Sequence, residues 1–367
     1  MFAIAPTPRV RPSPYFEATV AAGAESFTVY NHMLMPTGYG DREAEYRRLI
    51  EGVAQWDVAV ERQVEVTGPD AARLLQRLVP RDLAGLEPGR GLYVPLCDHE
   101  GRLLNDPVLL KLAEDRWWLS IADSDVLLWA RAVAAERGLD VAVAEPDVSP
   151  MAVQGPRAEE VVAALCGEWV RGLRRFRFRE AEVEGVPLVV ARSGWSGQGG
   201  FELYLRDGAM GGRLWDLVAR AGAPHGIGPG YPDPCERVES GLLSWGTDTD
   251  RATNPFEVGL ARYVDLDMPH EAIGLPALRR IHAEGPRRHR LGLLLDGEGP
   301  SDPLPRRLAL RRDGRPVGEM SARVRSPRLG RTIGLALVSR ECRPGDAVEV
   351  AGPDGGTRSV LHALPFL

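Results

Sequence analysis

Four groups of residues have the types and spacing to do chemistry. The first is the run Gly194-Trp195-Ser196-Gly197-Gln198-Gly199-Gly200-Phe201-Glu202-Leu203-Tyr204. Its glycines permit positive φ and a close approach of backbone to a ligand. Glu202 and Tyr204 share one face of the strand that follows, because strand side chains alternate. The spacing fits neither the dinucleotide fingerprint nor the P-loop. A hairpin loop with a solvated Glu fits it equally well. The second group is Asn105-Asp106-Pro107, set inside the otherwise apolar run Leu103–Leu110. A proline and a carboxylate in a strand mark either a bulge or a side chain that faces a cavity or a partner. The third is Arg237 with Glu239 in Cys235-Glu236-Arg237-Val238-Glu239-Ser240-Gly241. Arg237 could clamp a ligand carboxylate in two-pronged fashion or form a surface ion pair. The fourth is the aromatic set Tyr30, Trp56, Trp195, Tyr204 and Trp245. Such faces attract cations and stack on planar heterocycles, and they also build cores.

Composition removes several other chemistries. Of 45 basic residues only Lys111 is a lysine, and no glycine loop precedes it. Schiff-base and P-loop chemistry, which need a lysine, therefore have one poor candidate. The four cysteines form no CxxC pair and the seven histidines no HExxH, so neither a metal nor a disulfide framework is expected. A net charge of −6 argues against nucleic acid as a partner. No apolar run reaches the ~18 residues of a membrane span, and residues 1–14 do not read as a signal peptide. A cytoplasmic protein with no membrane partner is expected.

The elements that must position these residues are short. Glycine and proline together make 71 of 367 residues, well above the usual ~12%, so a helical bundle is excluded. After a proline-rich lead over 1–15, a helix capped by Asp41 is expected over 41–53. A strand over 63–66 and a helix over 71–78 follow. A meander over 91–96, 103–112 and 116–121 comes next, then a helix over 123–135 capped by Asp123 or Ser124. The run Val66-Thr67-Gly68-Pro69-Asp70-Ala71 is echoed by Val153-Gln154-Gly155-Pro156-Arg157-Ala158, which suggests a duplicated α+β body. A helix over 236–243 and a charged approach over 279–290 lead to short strands from 291 to 367, the pattern of a small antiparallel barrel.

Several of these runs resemble the folate-dependent glycine cleavage T-protein family, over about residues 25–365. They are the Gly194–Glu202 loop, the Arg237-Val238-Glu239-Ser240-Gly241 segment, Ile273-Gly274-Leu275-Pro276-Ala277-Leu278, and Gly318-Glu319-Met320-Ser321 with the later Arg325-Ser326-Pro327 and Ile333-Gly334-Leu335-Ala336. The resemblance implies an α+β cloverleaf, with two interleaved α+β subdomains holding a ferredoxin-like element over residues 1–278. An antiparallel β-barrel over 288–367 completes it. It implies tetrahydrofolate as the methyl-accepting cosubstrate. Carried over by position, Asp106 is the acid near the reacting pterin nitrogen, Glu202 bonds the pterin ring, and Tyr204, Trp195 and Arg237 line the folate site.

Within the family, Val29–Leu34, the stretch from Trp56 to Val64, Asn105–Lys111 and Ser120–Asp125 are similar to the branch that demethylates dimethylsulfoniopropionate. Glycine-cleavage members usually carry Asp-Asp-Leu at Asn105-Asp106-Pro107, Asn at Ala122 and Tyr at Trp195. These departures favour a small onium donor, with Tyr30, Trp195 and Trp245 as its aromatic partners. Two other outcomes stay open. One is an aminomethyltransferase served by a lipoyl carrier protein, and the other a non-catalytic folate binder.

Overall fold

The computed structural model describes residues 7–300, 307–352 and 355–367. The first six residues of the expected lead lie outside that range. The chain forms two compact units. One gathers 1–74, 84–93 and 107–233, the other 75–83, 94–106 and 234–367.

The first unit contains a six-stranded and a five-stranded sheet. The six strands run in the order Phe178–Val183, Val186–Ala191, Gly200–Leu205, Ser149–Gln154, Ala54–Asp57 and Gly228–Gly230. All neighbours are antiparallel except the last pair. Alternation sorts the side chains of Gly200–Leu205. Phe201, Leu203 and Leu205 join a core with Val161, Val162, Leu214, Leu217 and Val218. Those partners come from the helices Ala158–Cys166 and Gly211–Gly222, whose apolar residues recur at helical spacing. The other face sends Tyr204 into a second core with Trp118, Leu110, Phe178, Val189 and Ala191. Trp118 and Leu110 belong to the five-stranded sheet, ordered Ala142–Ala144, Gln63–Thr67, Arg116–Ser120, Val108–Ala113 and Arg90–Tyr93.

The two Gly-Pro runs make the same turn. Gly68 has φ +121° and Gly155 φ +123°. Ala71 N–H donates to Gly68 O at 3.1 Å, and Ala158 N–H to Gly155 O at 3.0 Å. A Cβ on Gly68 would meet Asp140 O at 2.6 Å, and one on Gly155 would meet Gly52 O at 2.5 Å. Each glycine is therefore fixed both by conformation and by a neighbouring backbone.

The second unit contains a closed antiparallel barrel, ordered Arg288–Leu295, Arg331–Ser339, Arg315–Ser326, Leu308–Arg312, Ala347–Gly352 and Gly355–His362. Leu291, Leu293, Leu295, Leu310, Val338, Val350 and Leu361 fill it. Closure removes free sheet edges. The helix Pro234–Glu239 packs Val238 on the barrel's Ile333 and Leu335. Earlier chain joins this unit through Leu103 N–H to Thr253 O at 2.8 Å and Ile273 N–H to Arg77 O at 2.8 Å.

Most expected elements are present, with four differences. The run 103–112 is two strands. Leu103–Asn105 pairs with Leu96–Cys97, while Val108–Ala113 enters the five-stranded sheet. Pro107 has no N–H for a ladder, so the break falls there. The strand expected over 91–96 is split likewise, into Arg90–Tyr93 and Leu96–Cys97. The helix expected from Asp123 starts at Val126, and its N-cap Asp125 makes no side-chain bond. Asp123 instead accepts the backbone N–H of Asn31 at 2.8 Å. The helix expected over 236–243 is the shorter Pro234–Glu239, since Gly241 has φ +63° and stops it. The Asp41 cap is present, with Ala44 N–H donating to its Oδ1 at 3.0 Å.

Candidate functional site

In the first unit the candidate residues gather around Glu202. It lies mid-strand between Ala191 and Ala152, its small partners on the neighbouring strands. It is 4% exposed. Its Oε2 accepts hydrogen bonds from the Ser193 hydroxyl and, at 2.9 Å, from the Tyr204 hydroxyl. Oε1 has no partner among the described residues. Burial raises the Glu202 pKa against the pull of these two bonds. Burial first, then the Glu202 and Glu61 carboxylates, hold the Tyr204 phenol well above its ordinary value. Tyr204 is thus a permanent donor. Trp118 lies against its ring, with centroids 6.0 Å apart.

Trp195 is half-buried in the loop that carries Ser193. Tyr30 ends the strand Ser26–Tyr30 and packs against the core beneath. Asn31 and His32 turn the hairpin with φ +48° and +61°, the backbone of a two-residue turn. The Asn31 side chain donates to Val60 O at 2.9 Å and Ala122 O at 3.1 Å, which fixes the hairpin end and so Tyr30.

The second unit holds Asp106, Arg237 and Trp245. Asp106 is half-buried where the two strands part, and its N–H donates to Asn105 Oδ1 at 3.0 Å. Arg237 is buried, and its Nη1 donates to Asp248 Oδ2 at 2.6 Å and Leu242 O at 3.2 Å. Asp248 also accepts Ser244 N–H at 2.8 Å and the Ser321 hydroxyl at 2.6 Å. Arg237 forms an ion pair, but a buried one with Asp248 and not the surface pair that the sequence offered as an alternative. Nε and Nη2 remain without partners among the described residues. The same bonds close the loop that carries Trp245, whose buried indole N–H has no partner among the described residues.

The structure thus brings Glu202 and Tyr204 into direct contact. Asp106, Arg237 and Trp245 belong to the other unit. Sequence reasoning missed Ser193, one residue outside the glycine motif, and Asp248, which follows the Trp245-Gly246-Thr247 run. A search for hydroxyls and carboxylates flanking each motif would have found both.

The residues present fit a reduced pterin. That ring system presents adjacent N–H and amino donors, which need a buried acceptor. Glu202, buried in the first unit, carries such an acceptor in Oε1.

The model for the GCVT N-terminal domain matches residues 15–268, and that for the glycine cleavage T-protein C-terminal barrel domain matches residues 288–367. This chain belongs to the glycine cleavage T-protein family. As a member it is a tetrahydrofolate-dependent enzyme of the family's one-carbon-transferring kind. It is 45% identical over 356 residues to the dimethylsulfoniopropionate demethylase DmdA of Ruegeria pomeroyi, across 97% of each chain. It is 33% identical over 365 residues to an aminomethyltransferase of Bordetella parapertussis, across 97% of this chain and 96% of that one. The crystal structure of the glycine cleavage system aminomethyltransferase T from Bartonella henselae superposes with a TM-score of 0.86 over 97% of this chain and 98% of that one. At 23% identity, that likeness bears on the fold alone. No helix among the described residues is long and apolar enough to cross a membrane.

Proposed function

We propose that this enzyme moves a methyl group from dimethylsulfoniopropionate, or a similar small onium compound, to N5 of tetrahydrofolate. The products are 5-methyltetrahydrofolate and the neutral thioether, methylmercaptopropionate for the sulfonium. The observation that carries this reading is the 45% identity to a dimethylsulfoniopropionate demethylase across 97% of both chains.

A sulfonium methyl is already activated, because the carbon–sulfur electron pair leaves on a neutral sulfur. Tetrahydrofolate supplies the nucleophilic nitrogen. The protein's work is to hold the partners in line at roughly 3–3.5 Å and to manage charge. In this reading Glu202 accepts the pterin donors through Oε1, with Tyr204 and Ser193 keeping its other oxygen occupied. Arg237, braced by Asp248, offers Nε and Nη2. Asp106 stabilises positive charge growing at the nitrogen or accepts its proton. Tyr30, Trp195 and Trp245 supply aromatic faces for the cation, each worth ~0.5–2 kcal/mol. The setting is cytoplasmic.

The test is a product assay. Purified protein is mixed with tetrahydrofolate and, separately, dimethylsulfoniopropionate, glycine betaine and dimethylglycine, and the folate is followed by mass. Methylfolate with one donor is the expected outcome. Methylenefolate formed only with an aminomethyl-loaded lipoyl carrier would sink the reading and return the enzyme to glycine cleavage.

A further inference from the structure

The loop joining Val186–Ala191 to Gly200–Leu205 carries Ser193 and Trp195. It is rich in glycine, yet a single side chain from outside pins it at both ends and in the middle. Gln154 closes the strand Ser149–Gln154 and is 0% exposed. Its Nε2 lies 3.3 Å from the carbonyl oxygens of Ser193, Phe201 and Val153. Its Oε1 accepts the Ser196 hydroxyl at 2.7 Å. A carboxamide offers two N–H donors and two acceptor lone pairs, so one group serves several points at once.

The outer glycines of the loop are shaped to this amide. A Cβ on Gly194 would come 2.1 Å from Gln154 Nε2. One on Gly200 would come 2.6 Å from Nε2 and 2.2 Å from Val153 O. Room that the sequence suggests for a ligand is here taken by Gln154.

We propose that Gln154 is a positioning residue for methyl transfer, holding Ser193 on Glu202 and Trp195 in one place. The assignment rests on the function proposed above, which makes Glu202 and Trp195 ligand-binding groups. Without the amide, four glycines restore backbone freedom to the segment. A displacement of about 1 Å at such a site costs on the order of 100-fold in rate.

The test uses full-length Gln154→Met, which keeps the side-chain volume, and Ser196→Ala, which removes one bond only. Hydrogen exchange of the 193–200 amides is measured beside KM for the onium donor and the Kd for tetrahydrofolate. In Gln154→Met, exchange in this loop should rise at least about 10-fold, as expected when its anchoring bonds are lost. Donor KM should rise by a similar factor and the folate Kd severalfold. Ser196→Ala should move the same quantities in the same direction by less. A purely structural role would lower the urea midpoint and leave KM and loop exchange unchanged in the folded protein, which would overturn the proposal. If Gln154→Met does not fold, Ser196→Ala decides alone, and unchanged exchange there overturns it. If the wild-type enzyme methylates folate from none of the donors, the donor reading falls. Loop exchange and folate affinity then still decide Gln154.

Discussion

Glu202 divides its labour between two oxygens. Oε2 takes the Ser193 and Tyr204 hydroxyls, and Oε1 has no partner among the described residues. In the proposed reading the second oxygen of this buried carboxylate is the one that binds the pterin. Asp106 differs, being half-buried between two strands, with its N–H donating to Asn105 Oδ1 at 3.0 Å. The two acids should therefore fail differently. Glu202→Gln should weaken tetrahydrofolate binding ~10–100-fold, the value of a charged hydrogen bond. Asp106→Asn should leave that Kd within about threefold and lower kcat by ~10²–10⁴, the usual worth of a charge-managing group. Calorimetry for the Kd and single-turnover mixing for the rate separate them. Loss of folate binding in Asp106→Asn would assign that residue a structural role. Glu202 and Tyr204 were legible because their spacing of two puts them on one strand face. The ion pair of Arg237 was open in the sequence, because Asp248 lies eleven residues on and a loop must close to bring it back.

The repeated strand–Gly-Pro–helix turn shows what a motif can and cannot reveal at the scale of elements. Gly68 and Gly155 share φ and the bond that starts each helix, so the six-residue echo in the sequence is the same turn in the backbone. Their Cβ obstacles differ, Asp140 O for one and Gly52 O for the other, and neither carbonyl is near in sequence. Gly68→Ala and Gly155→Ala should each destabilise the protein by about 2–4 kcal/mol, combining left-handed strain with a backbone clash. Urea melts monitored by far-UV circular dichroism provide the check. A variant that costs under about 0.5 kcal/mol, as an ordinary surface change does, would show that its turn tolerates a Cβ. The meander over 91–121 was legible as strands but not as two sheets, because Pro107 fixes a break and not a destination. Gln154 was legible as part of the repeat and illegible as an anchor, since its partners Ser193, Ser196 and Phe201 lie on other elements.

Over the whole molecule, similarity to the demethylase DmdA runs along 97% of the chain. The second unit draws together 75–83, 94–106 and 234–367, so the barrel is stitched to segments distant in sequence. Glu239 is one of the stitches. It is 0% exposed, and it accepts two hydrogen bonds from Arg328, 89 residues away, and one from Ser326. Its backbone carbonyl takes the N–H of Phe366 at 3.0 Å, near the end of the described chain. Removing one partner of a buried pair costs more than neutralising the pair, because the charge left behind is poorly solvated. Arg328 is partly exposed and can be solvated alone, whereas Glu239 cannot. Arg328→Ala should therefore cost about 3 kcal/mol, and Glu239→Gln, which keeps the shape and leaves no buried charge, clearly less. Because the stitch lies inside one compact unit, the urea midpoint should fall while the slope stays the same. If Glu239→Gln proves the more damaging of the two, the ion pair itself holds the helix to the barrel, and the unpaired-charge argument is wrong.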